Sequence, residues 1–210
     1  MSLYLIDGFG IIFKNYYAMM RSPLTNDDGE NISALLGFIK QVQQVLRHAE
    51  REKKEGEALH VAMICDSKGP TFRHEIYAEY KANRSGPPDD LKIQLGYLNE
   101  LLNKWGIPTY SKSGYEADDL IAAFAKRASS SAQDCYIVTG DKDLYQLIDE
   151  YVCILKLDKN GAEKHRKDYV AEKWGIAPEQ IRDYLALVGD SADNVPGVKG
   201  IGPKSAVKLL

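Results

Sequence analysis

The chain is predicted to fold as a three-layer α/β domain around a mostly parallel sheet. Two observations lead there. Short runs rich in Val, Ile and Tyr, "HVAMICD" (60–66) and "DCYIVTG" (134–140), have the continuous apolar character of strands buried on both faces. Amphipathic stretches stand between the candidate strands and are long enough for the right-handed crossovers that join parallel neighbours.

The elements follow in order. "LYLID" (3–7) reads as the first strand, and "SALLGFIKQVQQVLRHAEREKK" (33–54) as a helix whose charged end runs into solvent. The second strand, 60–66, comes next. Segment 71–88, "TFRHEIYAEYKANRSGPP", interrupts the alternation with few aliphatics, several basic residues and a Gly-Pro-Pro stop. With so little to bury, it is expected to be mobile unless a partner holds it. "DDLKIQLGYLNELLNKW" (89–105) is a second helix, "PTY" (108–110) a short strand and "ADDLIAAFAKRA" (117–128) a third helix. Strands at 134–140 and 152–157 follow, then a turn at Asn160-Gly161. From about 178 the chain reads as helix, glycine-rich hairpin and the start of another helix, which divides it into residues 1–177 and 178–210. That last helix reaches Leu210 without a Gly or Asn cap, so further helices are expected to pack on the hairpin in a longer chain.

Composition narrows the functional classes. The 210 residues suit one substantial domain with an appendage, and no apolar run is long enough to span a membrane. "MSLYLIDGFG" lacks the basic and apolar regions of a signal peptide. Cys65, Cys135 and Cys153 lie in apolar runs without CxxC spacing and read as reduced core residues of a cytosolic protein. His48, His60, His74 and His165 lack the spacing of zinc ligands.

Acidic residues gather where the sheet would present them. Asp7 ends the first predicted strand and Asp66 the second. Asp141 follows the fourth within two residues, and Glu116, Asp118 and Asp119 open a helix. In an open parallel sheet these strand ends form the ligand crevice. Asp143 lies two residues beyond Asp141, and "GDSADN" adds Asp190 and Asp193, which could share a ligand if the local backbone is helical. Oxygen donors without His or Cys select hard cations, Mg²⁺ or Mn²⁺. Their density suggests two ions and an in-line phosphodiester hydrolysis. With these nine acids set aside, the net charge of −3 becomes +6, compatible with a basic nucleic-acid surface. An EF-hand reading fails because "DKDLYQLIDE" lacks the acid at loop position 5 and the glycine at 6. "VPGVKGIGPKSA" supplies Gly197, Gly200 and Gly202 around Lys199, with Lys204 beyond, a loop whose backbone N–H groups could approach a phosphate.

The stretches "LIDGFGIIFKNYYA", "FRHEIYAEYKANR", "YEADDL", "TGDKDLYQL" and "GDSADNVPGVKGIGPKSA" together resemble the 5′-nuclease (flap endonuclease) superfamily. Within it they are most similar to the 5′→3′ exonuclease domain of bacterial DNA polymerase I, in the same order and spacing from Leu3 onward. The resemblance implies a PIN-like domain, a helical arch over the active site and a helix–hairpin–helix element on duplex DNA. It implies one metal held by Asp7, Asp66, Glu116 and Asp118 with Asp119 beside them, and a second held by Asp141, Asp143, Asp190 and Asp193. Lys81 and Arg84 would contact the scissile phosphate, aided by Arg73. Tyr80 would either stack on a base or pack under the arch. The hairpin could hold K⁺. The partner implied is DNA with a 5′ single-stranded flap, in the bacterial cytoplasm at the nucleoid, with a polymerase domain in the full-length chain.

Two positions depart from the family pattern: Lys14 stands where Arg is usual and Tyr17 where His is usual. Lys keeps the charge but loses the bidentate fork. A catalytically silent DNA-binding module should have lost some of the nine acids, and PIN-type ribonucleases commonly lack both "YKANR" and the glycine-rich hairpin.

Overall fold

The computed structural model describes residues 1–158 and 161–210. Among them, β1 (Ser2–Asp7), β2 (Leu59–Ile64), β3 (Thr109–Tyr110), β4 (Asp134–Val138), β5 (Val152–Asp158) and β6 (Gly161–His165) form one sheet in the order β3-β2-β1-β4-β5-β6. The first five run parallel, and β6 returns antiparallel along β5. The helices are α1 (Gly8–Met19), α2 (Ser33–Glu52), α3 (Phe72–Ile76), α4 (Asp89–Trp105), α5 (Ala117–Ser130), α6 (Lys167–Trp174), α7 (Ile181–Val188) and α8 (Pro203–Leu209). A two-stranded hairpin, β7 (Gly189–Asp190) with β8 (Val195–Pro196), follows α7.

Side chains of β1 alternate between two cores. Tyr4 and Ile6 face Phe38, Val42 and Leu98 beneath α1, α2 and α4. Leu5 faces Ile121, Ala125, Val170 and Ile181 beneath α5, α6 and α7. Helices on both faces give the predicted three layers and explain why the central strands are apolar throughout. The chain builds outward from β1 to β2 and β3, then crosses to β4 on the other side. The order therefore reverses between β1 and β4, and the crevice beyond their carboxyl ends is the natural ligand site.

Several local features differ from the sequence reading, among them α6 (Lys167–Trp174), which was not expected. The central strands end earlier, at Ile64 and Val138, so Asp66 and the Thr139–Asp141 stretch lie in the loops just past them. Helix α1 was hidden by its opening Gly-Phe-Gly, poor helix formers. It is fixed from outside, because Asp7 Oδ1 accepts the Gly10 N–H at 2.8 Å as the N-cap. A side chain at Gly10 would overlap that carboxylate. Strand β6 is a short, polar edge without an alternating pattern. Asn160 of the expected turn lies outside the described residues, while Gly161 opens the strand. Finally, the helix in segment 71–88 is limited to the five residues of α3, followed by consecutive turns.

The three cysteines are free and buried, as expected. Among the described residues no helix is long and apolar enough to cross a membrane.

Candidate active site

Four loops deliver acids to the switch point. Asp7, at the end of β1, is only 7% exposed, and its Oδ2 accepts the Thr139 hydroxyl at 2.9 Å. Burial pushes its carboxyl up to about 6 against the opposing pull of the Gly10 and Thr139 hydrogen bonds. Asp66 accepts the Ala117 N–H at 2.8 Å, at the start of α5. Asp141 accepts the Asp143 N–H at 2.9 Å, while its own N–H donates to Thr139 Oγ1 at 3.0 Å. On the first turn of α5, Asp118 is pushed up to about 8 by burial and then by Asp141, Asp7 and Asp66. Asp118 thus feels Asp141 together with Asp7 and Asp66, although Asp141 is expected in the other set.

The second group lines an adjoining cavity of about 360 Å³, to which Glu116, Asp118, Asp119, Asp143, Asp190 and Asp193 contribute. Asp143 is raised to about 6 by burial and then by Asp141 and Asp190, and its Oδ1 is buried without a hydrogen-bond partner among the described residues. Asp190 bonds Lys142 at 3.1 Å, which holds its carboxyl below the ordinary range despite burial. Asp193 pairs with Arg84 Nη2 and lies 3.9 Å from Lys81 Nζ. The backbone at 191–194 is a tight turn with Asn194 at φ 57°, not a helix. Asp190 and Asp193 are accordingly each held by a different basic side chain.

Segment 71–88 closes over this cavity through polar contacts. Lys81 Nζ reaches Glu116 Oε1 at 2.8 Å, and its N–H donates to the Asp193 carbonyl at 2.9 Å. Asn83 donates to the Ser191 carbonyl at 2.8 Å. Arg73 grips both oxygens of Asp119 at 2.7 and 2.8 Å. Asp119 also accepts the Glu116 N–H at 2.9 Å, so its oxygens are committed to a bidentate pair and a capping box. In this arrangement Arg73 braces the site and does not face outward toward a phosphate. Tyr80 is 7% exposed, with its hydroxyl 2.9 Å from Glu116 Oε2 and 3.0 Å from Asp193 Oδ2. In this arrangement the ring packs beneath segment 71–88.

Other expected nucleic-acid residues lie apart from the acids. Lys14 is exposed on α1, beside a small crevice with Gln41 and Gly140. Lys199, Gly200, Gly202 and Lys204 are exposed in and just beyond the loop before α8. Gly197 has another reason to be glycine, since a side chain there would overlap the Val188 backbone where β8 meets β7. Sequence reasoning missed Thr139, which joins Asp7 to the Asp141 loop, and Lys142, the partner of Asp190. Both sit inside "VTGDKDLYQL", flanking the acids already singled out.

The donor set suits a hard cation: oxygen ligands only, carboxyls raised by burial and then by their acidic neighbours, and one buried carboxylate oxygen without a hydrogen-bond partner among the described residues. Among the described residues, no three acids stand close enough to form a ready-made metal-binding group. The fold brings the acids to one crevice, and basic side chains partly neutralise them there.

Comparison with known proteins places this arrangement. The 5′-3′ exonuclease N-terminal resolvase-like domain matches residues 2–175, and the 5′-3′ exonuclease C-terminal SAM fold matches 176–210. DNA polymerase I of Borreliella burgdorferi is 47% identical over 208 residues, covering 99% of this chain and 22% of that protein. Thermostable DNA polymerase I of Thermus aquaticus is 39% identical over 212 residues, covering 98% and 23%. The chain thus spans less than a quarter of these relatives' length. Among solved structures, the T5 5′-exonuclease with bound zinc has a TM-score of 0.73 at 22% identity, covering 100% of this chain and 74% of that one. The catalytic core of Rad2 in complex with DNA substrate has a TM-score of 0.60 at 19% identity, covering 99% and 60%. These structural likenesses carry the fold, and the matched sequence domains carry the kinship: the chain belongs to the 5′-3′ exonuclease family.

Proposed function

We propose that this chain is a divalent-metal-dependent 5′→3′ exonuclease and structure-specific 5′-flap endonuclease that hydrolyses DNA phosphodiesters in replication and repair. The observation that carries the reading is the convergence of Asp7, Asp66, Asp118 and Asp141 from the ends of β1, β2 and β4 and the start of α5 on the switch-point crevice, tied together by the Thr139–Asp7, Thr139–Asp141 and Ala117–Asp66 hydrogen bonds. Such crowding is costly without a cation and is typical of functional sites. Asp7, Asp66, Glu116 and Asp118 would hold one ion, and Asp141, Asp143, Asp190 and Asp193 a second. Mg²⁺ is the natural ion and Mn²⁺ a substitute. Bound ions would supply Lewis-acid stabilisation of charge on the attacking and leaving oxygens.

The chain's own residues orient these groups. Thr139 fixes Asp7, Ala117 N–H fixes Asp66, and the Glu116–Asp119 capping box sets the start of α5. Lys81 and Arg84, paired here with Glu116 and Asp193, carry the positive charge that would meet a phosphate entering the cavity. Residues 178–210 would grip duplex DNA through Lys199, Gly200, Gly202 and Lys204, with K⁺ held by loop carbonyls, while 1–177 carry the cut. A polymerase domain in the same full-length chain and a cytoplasmic, nucleoid-associated setting complete the proposal.

A 5′-labelled flap incubated with Mg²⁺, Ca²⁺ or EDTA tests it. Release of short 5′ products in Mg²⁺ and Mn²⁺, with none in EDTA, is expected. Cleavage that persists in EDTA, or attack confined to 3′ ends, would overturn it.

A further inference from the structure

Two aromatic rings outside both cores stand beside the carboxylate cavity. Phe72 is 37% exposed and Tyr115 40% exposed, and neither belongs to a hydrophobic cluster. Their centroids are 5.7 Å apart at an interplanar angle of 55°. They come from different segments that the backbone clamps together. Phe72 N–H donates to the Gly114 carbonyl at 3.1 Å, and Ser67 Oγ donates to the Tyr115 carbonyl at 3.1 Å. The pair is therefore positioned without being packed.

Each ring also carries a cation. Lys112 Nζ lies 4.6 Å from the Tyr115 centroid, and Arg73 Cζ lies 4.7 Å from that of Phe72. Arg73 is fixed by Asp119, whereas Lys112 makes no ion pair with an acid among the described residues. Exposed rings with a free ammonium beside them suit a ligand that is flat, apolar on its faces and anionic along its length. Unpaired nucleotides have that chemistry, whereas the bases of a duplex have their faces covered. The patch adjoins the cavity in sequence: Tyr115 directly precedes Glu116 and Phe72 directly precedes Arg73, and both of those following residues line the cavity wall.

We propose that Phe72 and Tyr115 form a stacking platform for single-stranded nucleic acid, with Lys112 meeting its phosphates. The location rests on the nuclease reading, because a platform there would receive the unpaired strand next to the cut. Binding to it needs no cleavage. Ring stacking needs only the face of a base, which DNA and RNA share, so strands of both are expected to bind.

The test is fluorescence anisotropy of the 210-residue chain in Ca²⁺ with a labelled single-stranded oligothymidylate, its RNA counterpart and a blunt duplex. Tyr115→Ala is expected to weaken single-strand binding about fivefold or more while leaving the blunt duplex unchanged, and Tyr115→Phe to retain it. Abasic positions in the strand should weaken the wild-type chain similarly and add nothing to Tyr115→Ala. That arm leaves the protein unaltered and decides the matter even if a variant folds poorly. Absence of single-strand binding, insensitivity to abasic positions, or equal loss on the blunt duplex would overturn the platform. A wild-type chain that holds the strand through Tyr115 but cuts nothing would sink the nuclease reading and leave the platform standing.

Discussion

Replacing Asp118 by Asn should make the metal-free protein more stable while removing its cleavage activity. Burial, reinforced by Asp141, Asp7 and Asp66, lifts the Asp118 carboxyl from 3.8 to about 8. At pH 7 the folded protein must take up a proton at Asp118 that the unfolded chain has lost, which costs at most about 4 kcal/mol at about 1.4 kcal/mol for each tenfold step between 3.8 and pH 7. Water reaches one side of this half-buried group, so about 2 kcal/mol is the expected gain on neutralisation. A carboxyl raised in the folded state contributes stability that is complete below its unfolded value, near 3.8, and is lost as pH rises through about 8. Asp7 and Asp143, each raised to about 6, act in the same direction. Urea unfolding in EDTA between pH 5 and 8 should therefore show wild-type stability falling with pH, and a flatter line for Asp118→Asn. Mn²⁺ should restore the wild type by mass action and the variant much less. A variant less stable than wild type at pH 7, or an unchanged pH slope, would refute the view that these acids crowd one another.

Thr139→Val removes the hydroxyl that donates to Asp7 and accepts from Asp141 N–H; it should cost about 1–3 kcal/mol and slow cleavage at least tenfold, with Thr139→Ser restoring both. Denaturation curves and single-turnover rates check this, and a Val variant that cuts normally would show Thr139 to be a bystander. Gly197→Ala should destabilise by about 1–3 kcal/mol because its side chain overlaps the Val188 backbone, whereas Gly202→Ala, in open space, should leave stability unchanged. Equal melting temperatures for the two variants would show that the β7–β8 contact can relax.

The parts legible in the sequence were those where side-chain type alone carries the message. Ile137 and Val138 could only be buried strand, and α2 announces itself through Phe38, Val42, Val45 and Ala49 on one face. Acids from four segments, at Asp7, Asp66, Glu116–Asp119 and Asp141, pointed to a crevice before the sheet order was known. The rest depended on partners distant in sequence. Helix α1 begins where Asp7 caps it, so a residue noted for its charge is also a structural cap. The pairing of Arg73 with Asp119, 46 positions away, leaves no trace in local pattern. The burial of Tyr80 and its two carboxylate partners, Glu116 and Asp193, are equally remote in sequence. Lys81 adopts φ 55°, which no propensity anticipates for Lys, and its N–H thereby meets the Asp193 carbonyl.

The site separates two tasks that a single kind of contact could not perform together. Orientation comes from neutral donors: Gly10 N–H and Thr139 Oγ1 on Asp7, Ala117 N–H on Asp66, Asp143 N–H on Asp141, and Ala192 N–H on Asp190. These bonds fix a carboxylate in place yet leave its negative charge uncancelled. Neutralisation comes instead from Arg73, Lys81, Arg84 and Lys142, of which all but Lys142 lie in segment 71–88, outside the sheet. An arriving divalent cation could thus take over the charge balance at Glu116 and Asp193 without disturbing the donors that aim Asp7, Asp66 and Asp141. Had the cations also done the aiming, each such exchange would have cost the geometry it was meant to use. That division explains why Asp7, although buried and raised to about 6, is bonded to a hydroxyl and an amide and not to a basic side chain.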